Sequence, residues 1–250
     1  MNNLFSETKE AFSLKSNFEL NRAFFLFKII GNSTFVKLST SLTNFALKFH
    51  LPVTPIIKAT VFDHFCGGVS EEDCIPVINK MFIKNVYSVL DFSTEGFNSE
   101  KEFDDCLRKK TSIIEFAKNR KEIPFAVFKP TCLGSTDLFK KVSKFEKLNE
   151  LENDSWNRVI QRFDKVCSKA FKQNIKILID AEEVEVQNAI DELAIKMMRK
   201  YNLNSPIVYN TVQMYRKDRL SYLGEMISNQ LNDGVIFGLK LVRGAYMEKE

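Results

Sequence analysis

From Val86 onward, short apolar runs alternate with longer amphipathic ones. The apolar runs are Val86–Phe92, Phe125–Phe128, Ile175–Ile179, Pro206–Tyr209 and Val235–Val242. Between them, Glu100–Lys118, Thr136–Gln173, Val184–Tyr201 and Asp218–Asn232 carry apolar residues at helical spacing. Strands alternating with helices over short connections predict a parallel sheet with crossover helices. The runs are apolar almost throughout, as expected of strands covered on both faces. Before Val86 the pattern is helical. Glu19–Ile29 is strongly apolar with charges at a helical period, and Ile30–Gly31 gives it a C-terminal stop. Phe35–Leu51 places Val36, Leu38, Leu42, Phe45, Ala46 and Phe49 close to a 3.6 period, and Pro52 closes it. Phe65–Val69 breaks the chain. Ser70 with Asp73 then has the form of a capping box opening a helix through Lys84. The expected organisation is a helical arm over residues 1–85 followed by an α/β region over 86–250.

Composition narrows the class. A chain of 250 residues with 44% hydrophobic and 27% charged content reads as a soluble globular protein of one large or two small domains. The 36 basic and 32 acidic residues are spread evenly, so the net charge of +4 leaves no basic arm for nucleic acid. Five cysteines, an odd number with no CxxC pair, read as reduced thiols in an intracellular, cytoplasmic protein. His50 and His64 have no metal-like partners at helical spacing, so no metal site is expected, and His64 beside Cys66 reads as loop packing. No run is long enough to span a bilayer. Glu7 and Glu10 precede any long apolar run and argue against a presequence. The 23 phenylalanines suffice for a large core and equally for a peripheral membrane surface.

The candidate chemistry sits just after each apolar run. Strand one delivers Asp91 and Glu95, strand two Lys129 and Thr131 around Pro130, and strand three Asp180, Glu182 and Glu183. Strand four delivers Asn210, Thr211 and Gln213, then Arg216 and Lys217. Strand five, with Val235, Ile236 and Phe237 expected to be buried, delivers Lys240, Arg243 and Tyr246. In a parallel barrel or doubly wound sheet these C-terminal ends line one mouth, where active sites sit. Cations clustered at a strand exit suit an anionic or electron-rich ligand. Each residue also has an ordinary reading. Asp180 and Glu183 could cap the following helix, Gln213 could pair with backbone, and Lys129, Lys240 and Arg243 could be solvated. The chain has no GxGxxG after a strand, no GxxxxGK[ST] and no GxSxG. A site built from scattered strand-end side chains favours the barrel over the dinucleotide-binding sheet.

VLDFSTEG, FKPT, IDAEE, NTVQMYRKD and above all KLVRGAY, in this order, resemble the proline dehydrogenase family, of the single-function type. The resemblance covers nearly the whole chain. It implies a (βα)8-type barrel that holds FAD and oxidises L-proline to Δ1-pyrroline-5-carboxylate. A hydride would pass to flavin N5, and the electrons would pass on to a membrane quinone, with contact peripheral to the inner membrane. Carried over by position, Lys129 lies near the substrate carboxylate, and Asp180 and Gln213 lie close to the flavin. Lys240 takes the cation position at the N5 edge, where some members have Arg. Arg243 and Tyr246 help hold the cofactor and wall the proline pocket. Glu95 matches a carboxylate that pairs with an arginine from the far end of the barrel. The family's carboxylate-binding arginine pair on the last barrel helix has no counterpart here. Five strands cannot close a barrel of eight, so the chain reads as an N-terminal portion, expected to be inactive alone. Two other readings stay open: a Schiff-base, aldolase-like barrel enzyme using Lys129, and a non-catalytic remnant acting as a binding module.

Overall fold

The computed structural model describes residues 7–92, 96–230 and 234–246. The chain divides into two compact units, Met1–Val86 and Tyr87–Glu250. The first is helical, with α1 (Thr8–Ala11), α2 (Asn17–Ile30), α3 (Ser33–Lys48), α4 (Thr54–Ile57), α5 (Asp63–Phe65) and α6 (Glu71–Phe82). The starts of α2, α3 and α6 are set by side chains. Ser16 and Glu19 form a reciprocal capping box on α2, and Ser70 and Asp73 form the expected one on α6. Asn32 Oδ1 accepts the Phe35 N–H at 3.1 Å to open α3. Among the described residues of this unit only Ala46 and Ile78 are buried. Phe62 and Phe82 are partly buried, while most of its phenylalanines are exposed, Phe18, Phe24, Phe25, Phe45 and Phe49 by more than half. They therefore do not build the core that their number suggested. His64 packs edge-on against Phe27 and Phe65, from within α5 rather than from the loop expected for it.

The second unit is a parallel sheet of β1 (Val89–Leu90), β2 (Phe125–Phe128), β3 (Lys176–Ile179), β4 (Val208–Gln213) and β5 (Leu239–Val242). Its order is β1-β2-β3-β4-β5. Each new strand lies beside the one before it. A doubly wound sheet reverses direction at a switch point; this one does not, which is the strand order of a (βα) barrel. The connecting helices are α7 (Glu100–Ala117), α8 (Thr136–Ser143), α9 (Glu150–Gln173), α10 (Val184–Tyr201) and α11 (Arg219–Gln230). The core lies between sheet and helices. Phe128 of β2 packs edge-on against Phe163 of α9 at 5.2 Å, with Phe139 of α8 beyond it. Ile114, Ile177, Ile179 and Ile190 fill the same layer, all fully buried. Arg162 is buried on α9, with its charge met by Glu100 and Asp104 of α7 and by the Leu133 carbonyl. It is a paired cation, and so tolerable inside.

Four sequence boundaries are corrected. The first strand is Val89–Leu90, not Val86–Phe92, and Asp91 beyond it pairs with the buried Lys110 at 2.7 Å. The segment Thr136–Gln173 is two helices, separated by Phe145 at φ 57° and restarted by an Asn149–Glu152 capping box. Strand four does not end at Tyr209. It runs on to Gln213, because Asn210, Thr211 and Gln213 stay in the ladder. Strand five begins only at Leu239, and Val235, Ile236 and Phe237 are not buried, Ile236 being 38% exposed. The Ile236 N–H bonds instead to the Asn202 carbonyl.

Candidate functional site

Strand pleating decides which side chains can meet. Thr211 of β4 pairs in register with Lys240 of β5, and Gln213 with Val242. These residues share the face opposite Asn210, whose amide reaches back to Asp191 of α10 and Tyr222 of α11. On this inner face the Lys240 ammonium contacts the Asp180 carboxylate. The pair spans from the β3 exit to β5 across the intervening strand. Each partner is about a quarter to a third exposed, at 24% and 30%. The capping reading of Asp180 and Glu183 fails. Glu183 is the residue at the N-cap of α10 and makes no side-chain cap bond. Asp180 is spent on Lys240 instead.

Glu182 ties three strand exits together. Its carboxylate accepts the Thr131 N–H at 2.9 Å and the Thr131 hydroxyl at 2.7 Å, fixing the turn after β2. Its carbonyl accepts Gln213 Nε2 at 2.8 Å from the end of β4. The ordinary reading of Gln213 as a backbone partner therefore holds for its amide nitrogen. Lys129 is half-buried at the start of the 3-10 turn Pro130–Leu133. Beyond β5, the Arg243 side chain is exposed, Tyr246 is half-buried, and the Arg243 carbonyl accepts the Tyr215 N–H. Gly244, at φ 119°, has to be glycine, since a Cβ there would stand 1.8 Å from the Tyr215 ring. Glu95 lies outside the described residues.

The structure thus brings Asp180 and Lys240 into contact, and it sets Gln213 two residues from Asp180 through Glu182. Lys129, Arg243 and Tyr246 come from strand exits on the same edge of the sheet. Thr211 was named among the strand-end residues but given no role. It is 3% exposed, and its hydroxyl has no hydrogen-bond partner among the described residues. Gln187, Asp191 and Arg219 were missed altogether, and all three are buried. The signal for the first two was present, as polar residues four apart inside the apolar stripe Val186–Ala189–Ile190–Leu193. Burial pushes the Tyr222 phenol beside them upward. Arg219 and then Arg216 hold the Asp218 carboxyl down at about 2. The buried thiols of Cys132 and Cys167 are pushed up. For Cys132 the contact with Cys106 leads and burial adds to it; for Cys167 the cause is burial. Among the described residues no cluster of acidic, histidine or cysteine side chains could hold a metal ion.

The family model described as proline dehydrogenase matches residues 74–250. The carbapenem antibiotics biosynthesis protein CarD of Pectobacterium carotovorum subsp. carotovorum is 33% identical over 186 residues, covering 74% of this chain and 50% of that protein. The probable mitochondrial proline dehydrogenase of Schizosaccharomyces pombe is 24% identical over 286 residues, covering 94% of this chain and 58% of its own length. A hydroxyproline dehydrogenase of Xenopus laevis is 24% identical, with 96% of this chain and 58% of its own covered. The chain spans about half the length of the curated relatives it matches. Among solved structures, proline utilization A from Bdellovibrio bacteriovorus inactivated by N-propargylglycine superposes with a TM-score of 0.63 at 20% identity. That match covers 78% of this chain and 22% of the other, a likeness of fold.

Proposed function

Because this chain belongs to the proline dehydrogenase family, we propose that it carries the flavin-facing side of a site that oxidises L-proline to Δ1-pyrroline-5-carboxylate. The observation that carries the reading is the Asp180–Lys240 pair on the inner face of the sheet, beside the Thr211 hydroxyl, which has no partner among the described residues. Bound FAD would supply the two-electron acceptor that no side chain of this chain offers. The residues present fit such a group. A buried hydroxyl without a partner costs free energy, and an adjoining electron-rich ring edge would give it one. A cation at the same edge favours the negative charge that arrives on reduction.

In this reading Asp180 orients the Lys240 ammonium toward that edge. Gln213, braced by the Glu182 carbonyl, and Arg243 at the rim complete the cofactor contacts. Lys129 meets the proline carboxylate, and Tyr246 and Glu95 wall the substrate. Electrons leave to a membrane quinone. The exposed phenylalanines of α2 and α3 provide an apolar surface for peripheral contact with the inner membrane, from a cytoplasmic location. No helix among the described residues is long and apolar enough to cross a membrane.

The test is a visible absorption spectrum, after incubation with FAD, of a protein in which these residues are joined to the remaining strands of an eight-strand barrel, recorded before and after anaerobic L-proline. Oxidised-flavin absorption that bleaches with proline is expected. A protein that stays colourless after FAD treatment, or a flavin that proline leaves oxidised, overturns the reading.

A further inference from the structure

A closed ring of hydrogen bonds lies behind the strand exits. The Glu182 N–H donates to Gln187 Oε1 at 3.0 Å, and Gln187 Nε2 donates to Asp191 Oδ1 at 2.8 Å. Asp191 Oδ2 accepts Arg219 Nη1 at 2.6 Å. Arg219 Nε and Arg216 Nη2 both donate to Asp218 Oδ2, at 3.1 and 2.8 Å. Arg216 Nη1 reaches Gln213 Oε1 at 3.4 Å, and Gln213 Nε2 returns to the Glu182 carbonyl at 2.8 Å. The ring begins and ends on the two backbone groups of Glu182.

Stability alone does not account for it. Gln187, Asp191 and Arg219 are 1%, 4% and 4% exposed. A buried ion pair roughly breaks even against well-packed apolar side chains, and its better-attested use is to fix one geometry. Here the geometry being fixed is functional. The turn between β3 and α10 has no side-chain cap of its own. Gln187, reaching back from the first turns of α10, takes the cap's place on the Glu182 N–H. Asp191 is fully engaged, accepting from Gln187, Asn210 and Arg219. The side of the ring that meets solvent is Asp218, at 51% exposure.

We propose that Gln187, Asp191 and Arg219 are positioning residues. From the helix side of the sheet they lock the Asp180–Glu183 turn and the Gln213 side chain, and so hold Asp180 where it meets Lys240. The inference rests on the flavin reading of that site for its functional meaning, but its geometry can be tested without the cofactor.

The substitution is Gln187→Met, which keeps the volume and removes both bonds. Leu193→Ala, on the same helix and 3% exposed, serves as a matched destabiliser outside the ring. Amide hydrogen exchange of the cofactor-free protein is measured over residues 181–183. Gln187→Met is expected to speed it about 10-fold, the loss of one hydrogen bond's worth of protection, and Leu193→Ala is expected to leave it unchanged. Asp218→Ala, which opens the ring at its exposed side and disturbs no buried packing, is expected to speed exchange at the same residues. Exchange equal to wild type in Gln187→Met and in Asp218→Ala overturns the ring, as does equal acceleration by Leu193→Ala. In the FAD-treated protein with its barrel completed, Gln187→Met is expected to shift the flavin absorption band and slow its bleaching by proline, with the proline KM unchanged. An unshifted band at wild-type rate overturns the positioning role. A wild-type protein that takes up no flavin overturns the proposed function, while the exchange result still decides the ring.

Discussion

Asn202→Ala should be among the most destabilising single changes in the second unit. Asn202 follows α10 and is fully buried. Its Oδ1 accepts the N–H groups of Ile207 and Val208 at 3.0 and 2.8 Å, and its Nδ2 donates to the carbonyls of Val208 and Ile236 at 2.8 and 2.9 Å. The position explains the need. At the start of β4 the ladder to β5 has not yet begun, since the first registered pair is Asn210 with Leu239. One amide side chain stands in for the missing neighbour. Leaving a buried donor or acceptor unpaired costs about 1–3 kcal/mol. Alanine orphans two donors and two acceptors, and a water entering the vacated space can recover part of the loss. A net cost of about 3–4 kcal/mol follows, a large share of the 5–15 kcal/mol that about spans domain stabilities. Trp156, the single tryptophan, lies in α9 against Phe139, so its fluorescence reports unfolding of the second unit alone. With a urea slope of about 3 kcal/mol/M, the midpoint should fall by about 1 M at unchanged slope. Asn202→Asp, which would bury a carboxylate against the Val208 and Ile236 carbonyls, should cost at least as much as alanine. A midpoint shift below about 0.3 M for Asn202→Ala, roughly 1 kcal/mol on the same slope, would refute the reasoning.

Other outcomes follow from the same contacts. With the remaining barrel strands in place, Lys240→Ala should slow anaerobic flavin reduction by proline by about 100-fold, the scale of removing one charge-stabilising donor, and leave the urea midpoint nearly in place; equal reduction rates would remove the role assigned to Lys240. Asp218 has a folded pKa depressed to about 2, below its ordinary 3.8, so its contribution is present above about pH 4 and is lost as pH falls toward 2. Asp218→Asn should therefore lose less Tm than wild type over that interval, and parallel curves would contradict the assignment. Cys66 is exposed whereas Cys106, Cys132 and Cys167 are buried, with the Cys132 and Cys167 thiols shifted away from thiolate. A thiol reagent should label Cys66 rapidly in the native protein and reach the buried three only in denaturant. Uniform labelling would show that the core is open.

The strand–helix alternation was legible because it is local. Phe125–Phe128 and Val184–Tyr201 come out of the apolar pattern with the bounds that the structure gives them. Boundaries failed where a polar residue is satisfied at long range. Asn210, Thr211 and Gln213 look like a loop in sequence, yet all three stay in β4. Asn210 is held there by Asp191, nineteen positions earlier, and Gln213 by Glu182, thirty-one positions earlier. The same limit acted at the other end of the sheet. Val235–Phe237 reads as a strand by composition, but its Ile236 backbone groups are taken by Asn202, thirty-four positions away, and the ladder waits until Leu239.

At the site, periodicity could mark the strand exits but could not choose between a cap and an ion pair for Asp180. Capping needs only its neighbours, whereas the pair needs Lys240, sixty positions on. The contest is settled by what else can serve α10. Gln187 supplies the Glu182 N–H with an acceptor from within the helix, and that frees Asp180 from capping duty. A carboxylate at a helix start with a glutamine or asparagine inside the first turns is thus ambiguous in sequence in a definite way. Where the inner polar residue is buried and bonded backward, the carboxylate is available to the site. Gln187 and Asp180 should accordingly behave as one unit: replacing Gln187 draws Asp180 toward the exposed N–H groups of α10 and away from Lys240, so the Gln187→Met and Lys240→Ala effects on flavin reduction should combine to less than their product.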